Sequence, residues 1–133
     1  MNRVGEILAA ARTIAVVGLS GKRFRPSYGV AEYLQRAGYR IIPVNPEETT
    51  VLGEKSYATL DDVPDAIDIV DVFRRSEFVP EIVEMAIRKC AKMVWMQEGV
   101  YHEAAARRAE EAGLAVVMDR CILKDHRRLA VVR

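Results

Sequence analysis

Short runs of almost wholly apolar residues alternate along this chain with stretches whose apolar positions recur every three or four residues. The runs are Thr13 to Gly18, Tyr39 to Val44, Ile67 to Phe73, Lys92 to Met96 and Leu114 to Met118. Runs this short and continuous fit strands covered on both faces, as in a parallel sheet. Between them the period becomes helical. Val4, Ile7, Leu8 and Ala11 predict a short helix before the first strand. Val30, Tyr33, Leu34 and Ala37 predict a second, with Ser27 placed to cap it and Gly38 to close it. Val79, Ile82, Val83, Ala86, Ile87 and Cys90 form the apolar stripe of a third, capped by Ser76 and tolerating Pro80 in its first turn. The alanine-rich stretch from Tyr101 to Ala112 predicts a fourth, ended by Gly113.

Strands that alternate with helices imply a parallel sheet with right-handed crossovers. The predicted fold class is α/β: a three-layer, Rossmann-like domain with a five-stranded parallel sheet in the order 3-2-1-4-5 and helices on both faces. A length of 133 residues suits one such domain over residues 1–133, and no repeat or linker divides it. Ligands of these sheets bind beyond the carboxyl ends of the strands. The site is therefore expected among Gly18 to Tyr28, Val44 to Pro46, Phe73 to Arg75 and Met96 to Gly99, with the switch point between strands one and four.

Charge narrows the ligand. The formal net charge is only +1, which gives no basis for a broad attraction to nucleic acid or to a membrane surface. The longest uncharged run, Thr13 to Gly21, has nine residues, far short of the roughly 20 that span a bilayer. Arg3, Glu6 and Arg12 interrupt the N-terminus, so no signal peptide is expected. Cys90 and Cys121 lack CxxC spacing, and no cysteine cluster accompanies His102 and His126. A cytoplasmic setting and no metal site are the expectations. Basic character is local instead: Lys22, Arg23 and Arg25 follow the first strand without an intervening acid. Strand, basic loop and helix start in that order present backbone N–H groups to a phosphate.

The nucleotide chemistries with strict motifs fit poorly. Gly18-Leu19-Ser20-Gly21 lacks the GxGxxG spacing, and Val44-Asn45-Pro46 stands where a nicotinamide dinucleotide site would offer an acid to ribose. Glu47, just beyond, keeps an NAD(P)-binding oxidoreductase or regulatory domain as the alternative. No GxxxxGK[ST] loop and no GxSxG elbow occur. Ser20 has no obvious route to either histidine, and both histidines read as surface residues. Asp68 and Asp71 fall on opposite faces of their strand and cannot form an acid–base pair. No catalytic residue is assigned. Gln97 and Glu98 either cap the following helix or meet a ligand, with ligand contact favoured for Gln97. Cys90 reads as inert packing. Cys121 follows Asp119-Arg120 at the carboxyl edge of the sheet, where a neighbouring arginine favours thiolate, and it is the candidate redox thiol.

Several segments in order carry a family pattern: Gly18-Leu19-Ser20, Arg25-Pro26-Ser27-Tyr28-Gly29-Val30, Gly38-Tyr39-Arg40, Pro43-Val44-Asn45-Pro46 and Leu52-Gly53. Asp68 through Arg75, Val94 through Val100 and Asp119-Arg120-Cys121 continue it. Together they resemble the stand-alone coenzyme A-binding proteins of bacteria and archaea. That family is similar to the CoA-binding domain of succinyl-CoA synthetase alpha chains and of ADP-forming acyl-CoA synthetases. The resemblance runs from Ile14 to Leu129. It implies that Gly18, Ser20 and the loop of Lys22, Arg25, Pro26, Ser27 and Tyr28 wrap the pyrophosphate. Val44, Asn45 and Pro46 would border the adenosine, Phe73 and Arg74 would flank the adenine or 3′-phosphate, and Gln97 and Gly99 would meet the pantetheine arm. The synthetases need a phosphorylated histidine in a later domain, and no such domain is expected here. Non-catalytic binding of CoA, free or acylated, for sensing or thiol protection, is therefore the expectation. A CoA-binding subunit lent to a multi-chain ligase partner is a further alternative.

Overall fold

The computed structural model describes residues 3–129; residues 1–2 and 130–133, the ends of the expected 1–133 domain, lie outside the described residues. Helix α1 (Arg3–Ala10) leads into β1 (Thr13–Val17), α2 (Pro26–Arg36) and β2 (Arg40–Val44). A two-stranded hairpin, β3 (Thr50–Val51) and β4 (Glu54–Lys55), and a single 3-10 turn at Leu60–Asp62 come next. The chain continues through β5 (Ile69–Val72), α3 (Val79–Arg88), β6 (Met93–Met96), α4 (Glu103–Glu111), β7 (Ala115–Val117) and α5 (Ile122–Arg128).

The five long strands form one parallel sheet, and strand alternation divides the core in two. Ala15, Val17, Ile42, Val44, Val70, Val72, Val94 and Met96 point to α3 and α4. Ile14, Val16, Ile41, Ile69, Met93 and Trp95 point to α1, α2 and α5. Nearly every residue of β1, β2, β5 and β6 is buried, which is why these strands read as continuous apolar runs.

The sheet order is β2-β1-β5-β6-β7. Counted among the five predicted strands this is 2-1-3-4-5, not 3-2-1-4-5. The physical reason lies in the connection after β2. Helix α2, on one face, carries the chain from β1 outward to β2. Leu60, Val63 and Ile67 of the next connection pack on the opposite face. A right-handed crossover on the opposite face travels in the opposite direction, so the chain passes over β1 and enters beside it. The switch point therefore falls between β1 and β5.

Smaller departures from the sequence reading share a cause: local signals were outweighed by neighbours. Ser27 is not the cap of α2, because Arg25 occupies the cap and Pro26 takes the first helical position. Proline fits there with its fixed φ and missing N–H. Cys90 is exposed just past α3 with φ 57°, not on the helix's apolar stripe. His126 is buried in α5, a helix without a strong sequence signal, and its Nδ1 lies 2.8 Å from the Tyr33 hydroxyl. His102 caps α4, its Nδ1 accepting the Ala105 N–H at 3.1 Å.

Candidate functional site

The tips of β2, β1 and β5 stand side by side. The Gly18 N–H donates to Val44 O at 2.8 Å, and the Phe73 N–H donates to Val17 O at 2.8 Å. Gly18 has φ +90°, and a Cβ added there would stand 2.7 Å from the Phe73 carbonyl oxygen. Only glycine meets both demands. The chain then folds over itself: the Ser20 N–H donates to Ser27 Oγ at 3.0 Å and the Lys22 N–H to Ser20 Oγ at 3.1 Å. Ser27 thus braces the loop from inside the first turn of α2. Asn45 clamps it from the other side, its Nδ2 donating to Leu19 O at 3.0 Å while its Oδ1 accepts the Glu47 N–H at 3.0 Å.

Two adjoining cavities open at this point. One, of about 340 Å³, is lined by Gly18, Ser20, Lys22, Arg25, Pro26 and Ser27, with Asn45, Glu47, Glu48 and Phe73 opposite. The other, of about 260 Å³, is bounded by Gly18, Val44, Asn45, Pro46, Glu47, Phe73 and Arg74. Sharing Gly18, Asn45, Glu47 and Phe73, they form one groove across the switch point. Had the third predicted strand lain at the sheet edge, Phe73 and Arg74 would be two strands away. The corrected order makes them the groove's wall.

The groove's cations are not neutralised. Among the described residues, Lys22, Arg25 and Arg74 of its lining pair with no carboxylate, nor does Arg23 of the same loop. The Arg25 guanidinium lies 5.7 Å from the Phe24 ring centroid, and that of Arg74 lies 4.2 Å over Phe78. Aromatic faces hold guanidinium groups without cancelling their charge. Two acids line the groove, Glu47, which the sequence singles out, and Glu48, which it does not. Glu48 Oε2 accepts the Gly21 N–H at 2.7 Å. Its signal was its place in Pro46-Glu47-Glu48, directly after the tip of β2.

Three expected site residues lie outside the groove. The Tyr28 N–H donates to Arg25 O at 3.1 Å, and its ring packs against the core under α2. Gln97 is buried, and its Oε1 accepts the Ile122 N–H at 3.1 Å. It tethers α5 rather than capping α4. The Gly99 N–H donates to Asp119 Oδ1 at 2.8 Å. These two therefore build a corner at the ends of β6 and β7. Cys121 belongs to the same corner and is buried against the core.

Beneath the groove, Asp71 sits on β5 in register with Val16 and Trp95 and is fully buried. Among the described residues neither carboxyl oxygen has a hydrogen-bond partner, and burial pushes the group well above the usual carboxylate range. Asp68 faces the other way and accepts the Arg12 and Thr13 N–H groups at 2.8 and 3.1 Å. The described residues include no cluster of three or more His, Cys, Asp or Glu that would hold a metal ion. None of their helices is long and apolar enough to cross a membrane. What the groove offers is backbone donors, hydroxyls and unpaired cations around a space the size of a nucleotide fragment.

The family model described as a CoA binding domain matches residues 12–127. The chain belongs to the CoA-binding domain family. YneT of Bacillus subtilis is 43% identical over 123 residues, which cover 92% of this chain and 91% of YneT. A solved structure from Pyrococcus horikoshii is 44% identical with a TM-score of 0.91, covering 94% of this chain and 88% of that one. Subunit alpha of the ADP-forming acetate–CoA ligase I of Pyrococcus furiosus is 30% identical over 95 residues. That match takes in 67% of this chain but 21% of the ligase subunit. The CoA-binding domain match spans both the groove and the β6–β7 corner.

Proposed function

We propose that this protein binds coenzyme A, free or as an acyl thioester, and does not itself form the thioester. The observation that carries the reading is the groove at the β1–β5 switch point, where unpaired Lys22 and Arg25 face the backbone of a glycine loop in a CoA-binding domain. A polyanion with a pyrophosphate and a 3′-phosphate suits this groove, because charge-assisted hydrogen bonds are roughly twice as strong as neutral ones. In this reading Gly18, Ser20 and the loop from Lys22 to Ser27 take the pyrophosphate. Val44, Asn45 and Pro46 border the adenosine, while Phe73 and Arg74 flank the adenine or the 3′-phosphate. The pantetheine arm runs toward Gln97 and Gly99. Groove hydroxyls support binding rather than attack: Ser20 and Ser27 each already accept a backbone N–H. Sensing or protecting the CoA thiol is the role that suits such a module.

Calorimetric titration with CoA, NADH and ADP tests the reading. Micromolar binding of CoA, weaker binding of ADP and none of NADH are expected. Binding of NADH without CoA would transfer the groove to dinucleotide chemistry, with Glu47 at the ribose. The likeness to a ligase subunit alpha favours a second role, as the CoA-binding part of a ligase assembly. Co-purification of an ATP-using partner chain with the tagged protein is the expected result there, and purification of this chain alone is the contrary one.

A further inference from the structure

The loop after β1 has a backbone donor held by a charge. The Gly18, Ser20 and Lys22 N–H groups all donate to neutral oxygens: Val44 O, Ser27 Oγ and Ser20 Oγ. The Gly21 N–H instead donates to the Glu48 carboxylate at 2.7 Å, in an exposed contact. The approach is close enough that a Cβ on Gly21 would stand 2.9 and 3.2 Å from the two carboxylate oxygens. Lys22 and Arg25 line the same cavity, yet Glu48 pairs with neither. Its carboxylate is directed at the loop's backbone, where a phosphate oxygen would be received.

We infer that Glu48 is a resident stand-in for the ligand's phosphate, an internal competitor that an incoming phosphate group displaces from the Gly21 N–H. The inference rests on the groove being an anion site and deepens the CoA reading. One N–H cannot serve two oxyanions, and like charges in contact repel. The Glu48 N–H bonds to Asn45 O at 3.2 Å, so the backbone stays on the turn after β2 while the half-buried side chain swings out. The empty groove thereby satisfies its own donor. A diphosphate, engaging Lys22 and Arg25 together, outcompetes the carboxylate. A ligand offering only a single carboxylate gains nothing over the residue already there.

Calorimetry on the full chain with CoA and with inorganic pyrophosphate tests this in Glu48→Ala, Glu48→Gln and Glu47→Ala. Glu47→Ala makes the same change of charge in the same groove without freeing the Gly21 N–H. Both Glu48 variants should bind pyrophosphate and CoA about five- to tenfold more tightly than the parent, and Glu47→Ala less than about twofold. Equal gains at the two positions would reduce the effect to general electrostatics and overturn the competitor. Weaker binding by the Glu48 variants would make Glu48 a ligand contact and overturn it too. If pyrophosphate tightens but CoA binds to no form, the CoA reading fails and the competitor stands. If CoA binds parent and Glu48 variants alike, the CoA reading stands and the competitor falls. If neither ligand binds any form, both fall.

Discussion

Two regions share the carboxyl edge of the sheet, yet one is open and the other is closed. At the tips of β2, β1 and β5 the loops part, leaving unpaired cations around a groove. At the ends of β6 and β7 the chain ties itself together. Trp95 Nε1 donates to Arg120 O at 2.8 Å, the Ile122 N–H to Gln97 Oε1 and the Gly99 N–H to Asp119 Oδ1. Arg120 pairs with Asp125 at 2.7 Å, and Lys124 with Glu98 at 3.0 Å. The difference follows from the crossovers. Connections on opposite faces diverge at the β1–β5 boundary and leave a crevice, whereas β5, β6 and β7 are joined over one face and their loops can cross-brace. Binding and stability are thus separable along a single edge.

The largest effect should come from Gly18→Ala. The new Cβ meets the Phe73 carbonyl and requires a left-handed backbone, so stability should drop by about 2–4 kcal/mol and CoA binding with it. Thermal melting and calorimetry read both, and a variant melting like the parent would show that the β1–β5 junction yields.

Asp71 lies between the two regions and tests whether stability moves without binding. Its carboxyl is raised in the folded state by burial alone, while the unfolded group ionises near the ordinary value of 3.8. The stability it contributes is fully present below that ordinary value and is lost as the pH rises toward the folded pKa. Asp71→Asn removes that loss. At pH 8 the variant should be the more stable, by about 1.4 kcal/mol for each unit by which the folded pKa exceeds the unfolded one, up to pH 8. Denaturant melts should show the gap closing toward pH 4, with CoA affinity unchanged. A gap independent of pH would refute the neutral buried acid.

Replacing Lys22 and Arg25 together with alanine should do the reverse. CoA affinity should fall by more than about tenfold, or about 1.4 kcal/mol, with stability within about 0.5 kcal/mol of the parent. Undiminished affinity would make the loop mere surface. The smallest effect is expected of Gln97→Ala. It orphans the Ile122 N–H, so stability should decline by about 1 kcal/mol while CoA affinity shifts about threefold or less. A loss of affinity equal to that of the double variant would break the contrast between the regions.

Much of this was legible in the residues. Five apolar runs separated by helical periods are local facts, and so are a basic loop after the first strand and Asn45-Pro46 ending the second. They were enough for the α/β class, the parallel sheet and most of the groove's lining. The strand order was not legible, because it depends on which face the 45–68 connection covers. That segment has a hairpin and one 3-10 turn but no helical stripe to reveal its face. Nor could the sequence say that Gln97 reaches forward to Ile122, that Asp71 lacks a partner among the described residues, or that Glu48 turns back onto Gly21. Each depends on what distant segments bring into contact, which periodicity does not encode. Local pattern determined the elements and the anion-seeking character of the first loop. Tertiary structure decided where the edge opens, because only the right-handed paths of the crossovers choose the neighbours of β1.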